Sequence, residues 1–490
     1  VLRRLLSTLG AGLVLALGGL AQAAAPPRID LTVAPAWQGW TRPGRATEID
    51  VRLDADTASR ATLDLVAGRQ SVRADLDLQP GRTARLQLPI ASAETLTLRV
   101  GTPDGPVLQR ELRLSQSESP LLGSALASGT PLALEGFHTV ALTADDLPRS
   151  ASAYASVDAL ALDAPTLSAL DRRQLVALLA HAAGCGRIVV IQADARTRGL
   201  LAGAGGCGGR ALMQAGSAAE AGDQLRASLA SSLPAALPTA ALRELAPRDQ
   251  RVWSRVATGL ALYFAAATLL LVFAPGWPML LAAALAALAA VPLLHTLRPP
   301  SQLLVWSEGE SGAPVARYQA WQQFPGVVRE RTRAALAPQL ASFAQPCEPG
   351  QPLQFDLDPG RGQASSVAFE TRLFQPVALC YAGSFPVART VAATPLGDGG
   401  HEVHNTGAKA WPAGQWLEGP QVGDLPALAP DARAVVHPAP ATPRRDAVLR
   451  RALTRTQGEG LAALWPLDLA GVAGAPVESR GWLLVSVPTP

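Results

Sequence analysis

The sequence predicts a multidomain chain. It comprises an immunoglobulin-like all-β sandwich over 28–115, an α/β domain over 120–245, a transmembrane helical hairpin over 256–297 and a C-terminal mainly-β domain over 301–490. Three observations predict it. Apolar and polar residues alternate with period two through the stretch after position 28, as in half-buried strands. Further on, two short apolar runs bracket a helix-spaced segment, the pattern of a β-α-β unit. Between 256 and 297, two apolar runs (256–273 and 279–297) contain no Asp, Glu, Lys or Arg. Each approaches the roughly 20 residues needed to cross a bilayer core of about 30 Å.

Taken in order, residues 1–23 read as a secretory signal peptide. Arg3 and Arg4 precede an apolar stretch over 5–20, and Ala21-Gln22-Ala23 offers a cleavage site. An uncleaved anchor is the alternative, and both place the following segment outside the cytoplasm. In the sandwich region, Ile29, Leu31 and Val33 alternate with Asp30 and Thr32, and the pattern recurs over 48–53, 83–88 and 95–100. Turn signals such as Arg42-Pro43-Gly44 and Gln79-Pro80-Gly81 separate these strands. Their spacing suggests an immunoglobulin-like arrangement.

Over 157–162 the chain is apolar enough for a buried parallel strand, and a helix then follows from about Ser168 to Ala182. Gly184 and Gly186 stop that helix, and 187–191 is a second buried strand. A parallel sheet with a right-handed crossover follows from this order. Another helix is expected over 218–229. In the C-terminal part, Tyr318, Trp321 and Phe324 open a segment expected to continue as a helix over 327–336, before strands resume at 353. A second β-sandwich, a basic helix over 444–455 and a terminal strand over 481–487 complete the expectation.

Net charge is +3 with 17 % charged residues, and no basic block is interleaved with aromatics, so nucleic acid is excluded as a partner. The four cysteines pair by position as Cys185 with Cys207 and Cys347 with Cys380, each pair on one side of the apolar region. In an exported chain two intradomain disulfides are the natural expectation; four buried thiols are the alternative. Two membrane spans return the C-terminal part to the periplasm, although Arg248, Arg251, Arg255 and Arg298 on that side run against the positive-inside rule. The rival is one kinked span with a cytoplasmic C-terminal domain. Trp253 and Trp277 suit anchoring at the membrane interface, and the lipid bilayer is therefore an expected partner.

Pro35-Ala36-Trp37-Gln38-Gly39-Trp40, Val157-Asp158-Ala159-Leu160 and the stretch Gly184-Cys185-Gly186-Arg187-Ile188-Val189-Val190 together carry a family likeness. The chain resembles bacterial membrane-anchored class I glutamine-amidotransferase-like proteins of uncharacterised activity over roughly residues 28–300. That resemblance implies a flavodoxin-like sheet for 120–245. An amidotransferase requires a Cys on a strand-to-helix elbow with a nearby His. Here Gln192-Ala193-Asp194 follows the strand, and Cys185 precedes it. The amidotransferase-like domain is accordingly expected to be catalytically silent, with no catalytic residue assigned. A Cys185–His181 pair is the only candidate for nucleophilic chemistry.

Asp163 and Asp194 follow the two parallel strands, at the edge where α/β sheets bind ligands, and form the candidate pocket. His401 and His404 lie three apart, which on a strand points them to opposite faces. Asp356-Leu357-Asp358-Pro359-Gly360 lacks the further acidic ligands of a calcium loop. No metal and no cofactor is therefore expected. The function expected is that of a non-enzymatic structural or interaction protein at the bacterial inner membrane, with its domains in the periplasm and an envelope or membrane protein as partner. The alternative is a membrane-tethered hydrolase or small-ligand-binding protein that uses the sheet's carboxyl edge.

Overall fold

The computed structural model describes residues 28–487 except 92, 104, 203–211, 231–238, nearly all of 246–300, 313–314, 327–328, 337–343, 348–351, 359–362, 373–374, 388–390, 441–446, 457–460 and 470–477. Among the described residues strand outweighs helix, 54 % to 20 %.

Strands Ile29–Pro35, Ala46–Ala55 and Ala84–Ala91 form a three-stranded antiparallel sheet. Their alternation buries Ile49, Val51, Leu53, Leu86 and Leu88 on one face. That face shares a core with a seven-stranded sheet. Four of the seven strands come from the N-terminal region: Ser59–Ala67, Gln70–Leu78, Thr95–Thr102 and Gly105–Arg113. The other three are Glu330–Ala335, Leu353–Asp358 and Gln363–Thr371, from far along the chain. The junction is a parallel pairing of Leu353–Leu357 with Gln70–Ala74. Alone, Gln70–Leu78 would be a nine-residue open edge, a template for aggregation. The distant strand covers it, and Phe355 and Val367 enter the same core as Leu63, Leu65 and Val72.

A second body of sheet is entirely parallel, with strands in the order His138–Ala141, Leu121–Ala125, Ala159–Asp163, Arg187–Ile191 and Leu212–Ala215. Helices Ala164–Ala169 and Arg172–Ala183 link the third of these to the fourth. Ala195–Ala202 and Ala218–Ala230 follow the fourth and fifth. Asp171 caps Arg172–Ala183 in a capping box with Gln174.

A nine-stranded sheet occupies the C-terminal region, with Gln302–Glu310 and Val315–Phe324 near its middle. Both of its faces are buried. Leu303, Val305, Tyr318 and Phe324 join the sandwich core. Leu304, Trp306 and Trp321 pack on the opposite side with Leu449 and Ala452 of the helix Ala447–Thr456. A disulfide joins Cys347 to Cys380 on this sheet.

The fold class expected from sequence is corrected in three respects. First, the described residues are predominantly strand, and helical cover of the parallel sheet among them is thin. Between Ala125 and Ala159 the only helical elements among the described residues are the short 3₁₀ turns Ala144–Asp146 and Ala151–Ser156. An α/β flavodoxin-like (amidotransferase-like) domain, with helices covering both faces, is therefore not what forms. Second, no described helix is long and apolar enough to cross a membrane, so the transmembrane helical hairpin does not stand. Its residues 256–297 lie almost wholly outside the described residues; among those described, Phe264, Leu269 and Val272 are strongly exposed. Third, the helix expected over 327–336 is the strand Glu330–Ala335. The three-residue spacing of Tyr318, Trp321 and Phe324 imitated a helix. In the strand Val315–Phe324, Trp321 faces one core while Tyr318 and Phe324 face the other.

Candidate functional site

The carboxyl edge of the parallel sheet is where ligands bind in open α/β folds. Asp163 ends the strand Ala159–Asp163, in register with Ile191. Its carboxylate is committed to backbone: one oxygen accepts the Thr166 amide at 2.9 Å and the other the Ala127 amide at 2.7 Å. Asp194 is exposed and accepts the Thr197 amide at 2.6 Å, at the start of the helix Ala195–Ala202. Hydrogen bonds from Thr197 hold its carboxyl below the usual range. Glu220 repeats the device, accepting the Gly216 amide at 2.6 Å beside the helix Ala218–Ala230. Helix amino termini attract anions. At this edge the chain's own carboxylates already answer that attraction.

A second cluster lies at the other end of the helix Arg172–Ala183. Cys185 sits in the left-handed region, φ 71°, immediately after the helix. The His181 ring stacks on Tyr154 at 5.1 Å, and its Nε2 is sealed from solvent without a hydrogen-bond partner. Burial pushes the imidazole down to about 4. A Cβ on Gly186 would come within 2.1 Å of that ring, so this position requires glycine. Cys185 is disulfide-bonded, which removes its sulfur from nucleophilic duty. Cys207, expected as its partner, lies outside the described residues, as do Trp253 and Trp277.

Two buried charges escaped sequence reasoning. Glu48, on the strand Ala46–Ala55, is almost fully buried against the 3₁₀ turn Ala151–Ser156, and one carboxylate oxygen has no partner. Burial raises its carboxyl above the ordinary value, against hydrogen bonds from Ser150 and the Arg149 amide. Glu308 lies between Arg317 and Arg455, with Trp306 Nε1 donating to it at 3.0 Å. Burial opposes its ionisation, but the two guanidiniums outweigh burial and keep its carboxyl below the usual range. Arg317 also approaches Cys185 Sγ at 3.9 Å, joining the parallel sheet's helix to the nine-stranded sheet. Glu308 and Arg317 are opposed in adjacent strands, a pairing a hairpin reading could have found; Arg455, on a distant helix, left no signal.

The two histidines expected on opposite faces use separate partners. His401 Nε2 lies 3.0 Å from Glu418 and His404 Nε2 lies 2.7 Å from Asp431. Among the described residues no cluster of three or more metal-ligating side chains occurs. Asp356 accepts from Arg333 and Ser366, as part of the outer face of the seven-stranded sheet. Trp411 stacks on Trp465 at 3.9 Å and Trp416 is fully buried, so both are core residues.

No protein-family model matches the chain, and no curated protein matches it. Among solved structures it is similar to the yeast δ-COP-I μ-homology domain complexed with a Dsl1 WxWxV peptide. There the identity is 6 %, the TM-score 0.20, and the match covers 39 % of this chain and 97 % of that one. It is also similar to a protein described as ApaA from Bordetella pertussis, with 14 % identity and a TM-score of 0.14, over 19 % of this chain and 95 % of that one. Likeness at this level carries no argument about function.

Proposed function

We propose that this protein is a non-enzymatic interaction protein of the bacterial cell envelope, associated with the inner membrane and presenting a β-rich body to the periplasm. The observation that carries this is the state of the parallel sheet's carboxyl edge. Asp163 spends both carboxylate oxygens on backbone amides, and Asp194 and Glu220 one each, so the chain's own carboxylates answer the helix amino termini at the edge where a ligand or reacting group would bind. The disulfide Cys347–Cys380 supports an oxidising compartment, because such bonds persist outside the cytosol. The apolar run 256–297, free of charged residues, supports a lipid partner. Kinship with the membrane-anchored glutamine-amidotransferase-like proteins belongs to the same proposal, carried by the sequence stretches 35–40, 157–160 and 184–190.

Purification at native level from its own membranes in mild detergent, with mass spectrometry of what accompanies it, tests the proposal. A stoichiometric envelope partner is the expected result. A protein that purifies alone and turns over an ester, amide or phosphoester panel, with the turnover abolished by Asp163→Ala and Asp194→Ala together, would replace it with a hydrolase.

A further inference from the structure

The seven-stranded sheet ends on two open edges, Gly105–Arg113 on one side and Glu330–Ala335 on the other. Among the described residues each pairs on its inner side only, with Thr95–Thr102 and Gln363–Thr371. Open strand edges are templates for further pairing. Both of these carry a charge on the face turned to the core. Arg110 opposes Leu98 and stands between Leu108 and Leu112, which pack on the sandwich core. Its side chain is exposed, and no hydrogen bond or ion pair engages it among the described residues. At the far edge Glu330 shares the core-side row with Thr332 and Ala334, and Ala334 packs on the same core. Glu330 is half-buried, and its carboxylate accepts from the Thr332 hydroxyl at 3.4 Å.

A charge on the core side of an edge strand ordinarily keeps other strands away, because pairing would bury it without a counter-charge. The exception is a strand that offers the opposite charge at the facing position, and the two edges of this sheet offer that to each other. The pairings across the sheet leave the edge strands running in opposite directions. A second copy set beside the first, with the same face toward its core, therefore meets it as an antiparallel neighbour. With Arg110 opposite Glu330, Leu108 faces Thr332 on the core side, while Gln109 faces Arg331 and Glu111 faces Arg329 on the outer side. Every pair keeps its face, as register requires. We propose that copies of this chain associate head to tail, Gly105–Arg113 of one pairing with Glu330–Ala335 of the next through Arg110 and Glu330. The contact is heterologous, so each joined copy leaves one edge of either kind open and association runs on beyond a dimer. The same charges refuse strands that lack the complement. The inference holds whichever compartment the protein occupies.

The test uses the full chain. Sedimentation velocity over a concentration series is expected to show dimers and longer species that dissociate as salt is raised; a monomer throughout overturns the proposal. Arg110→Glu and Glu330→Arg are each expected to weaken association at least about tenfold, with Arg110→Lys close to the parent. An equimolar mixture of the two reversed chains is expected to associate again, because each then meets its opposite charge at both edges. Reversed chains that associate as strongly as the parent overturn the pairing. A second measurement leaves both charges in place. Gln109→Cys and Arg331→Cys in one chain set two thiols on opposite edges of the sheet, about 29 Å apart, so a disulfide between them joins different copies. The described native cysteines are all bonded and do not compete. Mild oxidation is expected to give a ladder of reducible oligomers from the double variant and nothing beyond a dimer from either single one. A double variant that gives no ladder overturns the proposal.

Discussion

At the scale of single residues, the junction between the sandwich and the parallel sheet holds two buried titratable groups whose responses to pH are opposite. His181 titrates near 4 when folded, below the ordinary 6.5. The unfolded chain therefore binds more protons in this interval, and stability present above pH 6.5 is lost as pH falls toward 4. His181→Leu is expected to flatten that loss by about 1–3 kcal/mol, read from denaturant midpoints across the interval; an unchanged slope would refute it. Glu48 has its folded value raised above 4.5, so the folded chain binds more protons and stability falls as pH rises past 4.5. Glu48→Gln is expected to abolish that fall and raise the melting temperature at pH 7, with the gain shrinking at pH 4. Gly186→Ala drives a methyl into the His181 ring and is expected to cost about 2 kcal/mol or more. Combined with His181→Ala, that cost should largely vanish, and a double-mutant cycle showing simple additivity would separate the two residues.

At the scale of elements, each helix of the parallel sheet starts from a carboxylate that does structural service. Asp163 caps Ala164–Ala169 and also holds the Ala127 amide of the neighbouring connection. Asp163→Ala is expected to lower stability by about 1–2 kcal/mol, with Asn recovering most of the loss because its oxygen still accepts. Thermal melts of the two variants measure this, and an Ala variant as stable as the parent would return Asp163 to the pool of ligand candidates. Sequence located this residue at the right edge because strand and helix signals bracket it. What its oxygens touch was illegible, since the Ala127 amide lies 36 positions away. The segment from Val315 to Ala335 shows the converse failure. The strand Val315–Phe324 is buried on both faces and so loses its alternation, and its apolar spacing matched the start of a helix until its partners Gln302–Glu310 and Val377–Pro386 were known; Glu330–Ala335 gained its strand identity from Gln363–Thr371.

At the scale of the whole molecule, the sandwich is finished by strands that arrive after residue 329, and its stability belongs to both halves of the chain. Phe355 sits in the shared core. Phe355→Ala is expected to cost about 3–4 kcal/mol and to speed hydrogen exchange in Gln70–Leu78 as well as in its own strand. If protection of Gln70–Leu78 is untouched, the N-terminal sandwich stands alone. The Glu308–Arg317–Arg455 group ties the C-terminal helix to the central sheet in the same manner, by charges whose partners lie up to 147 positions apart. Buried pairs of this kind contribute chiefly because removing one member strands the other.

By itself the sequence determined the strands with clean alternation, the parallel pairing across 163–187, the basic helix near 450 and the cysteine pair that forms Cys347–Cys380. Each of these rests on local periodicity, local capping or a simple pairing by position. Only the tertiary structure decided that the two β-rich regions share one sheet, that helical cover of the parallel sheet is sparse, and that Asp163 and Asp194 are caps. Those outcomes depend on contacts between residues tens to hundreds of positions apart, and the energy of such contacts leaves no periodic trace in the chain that makes them.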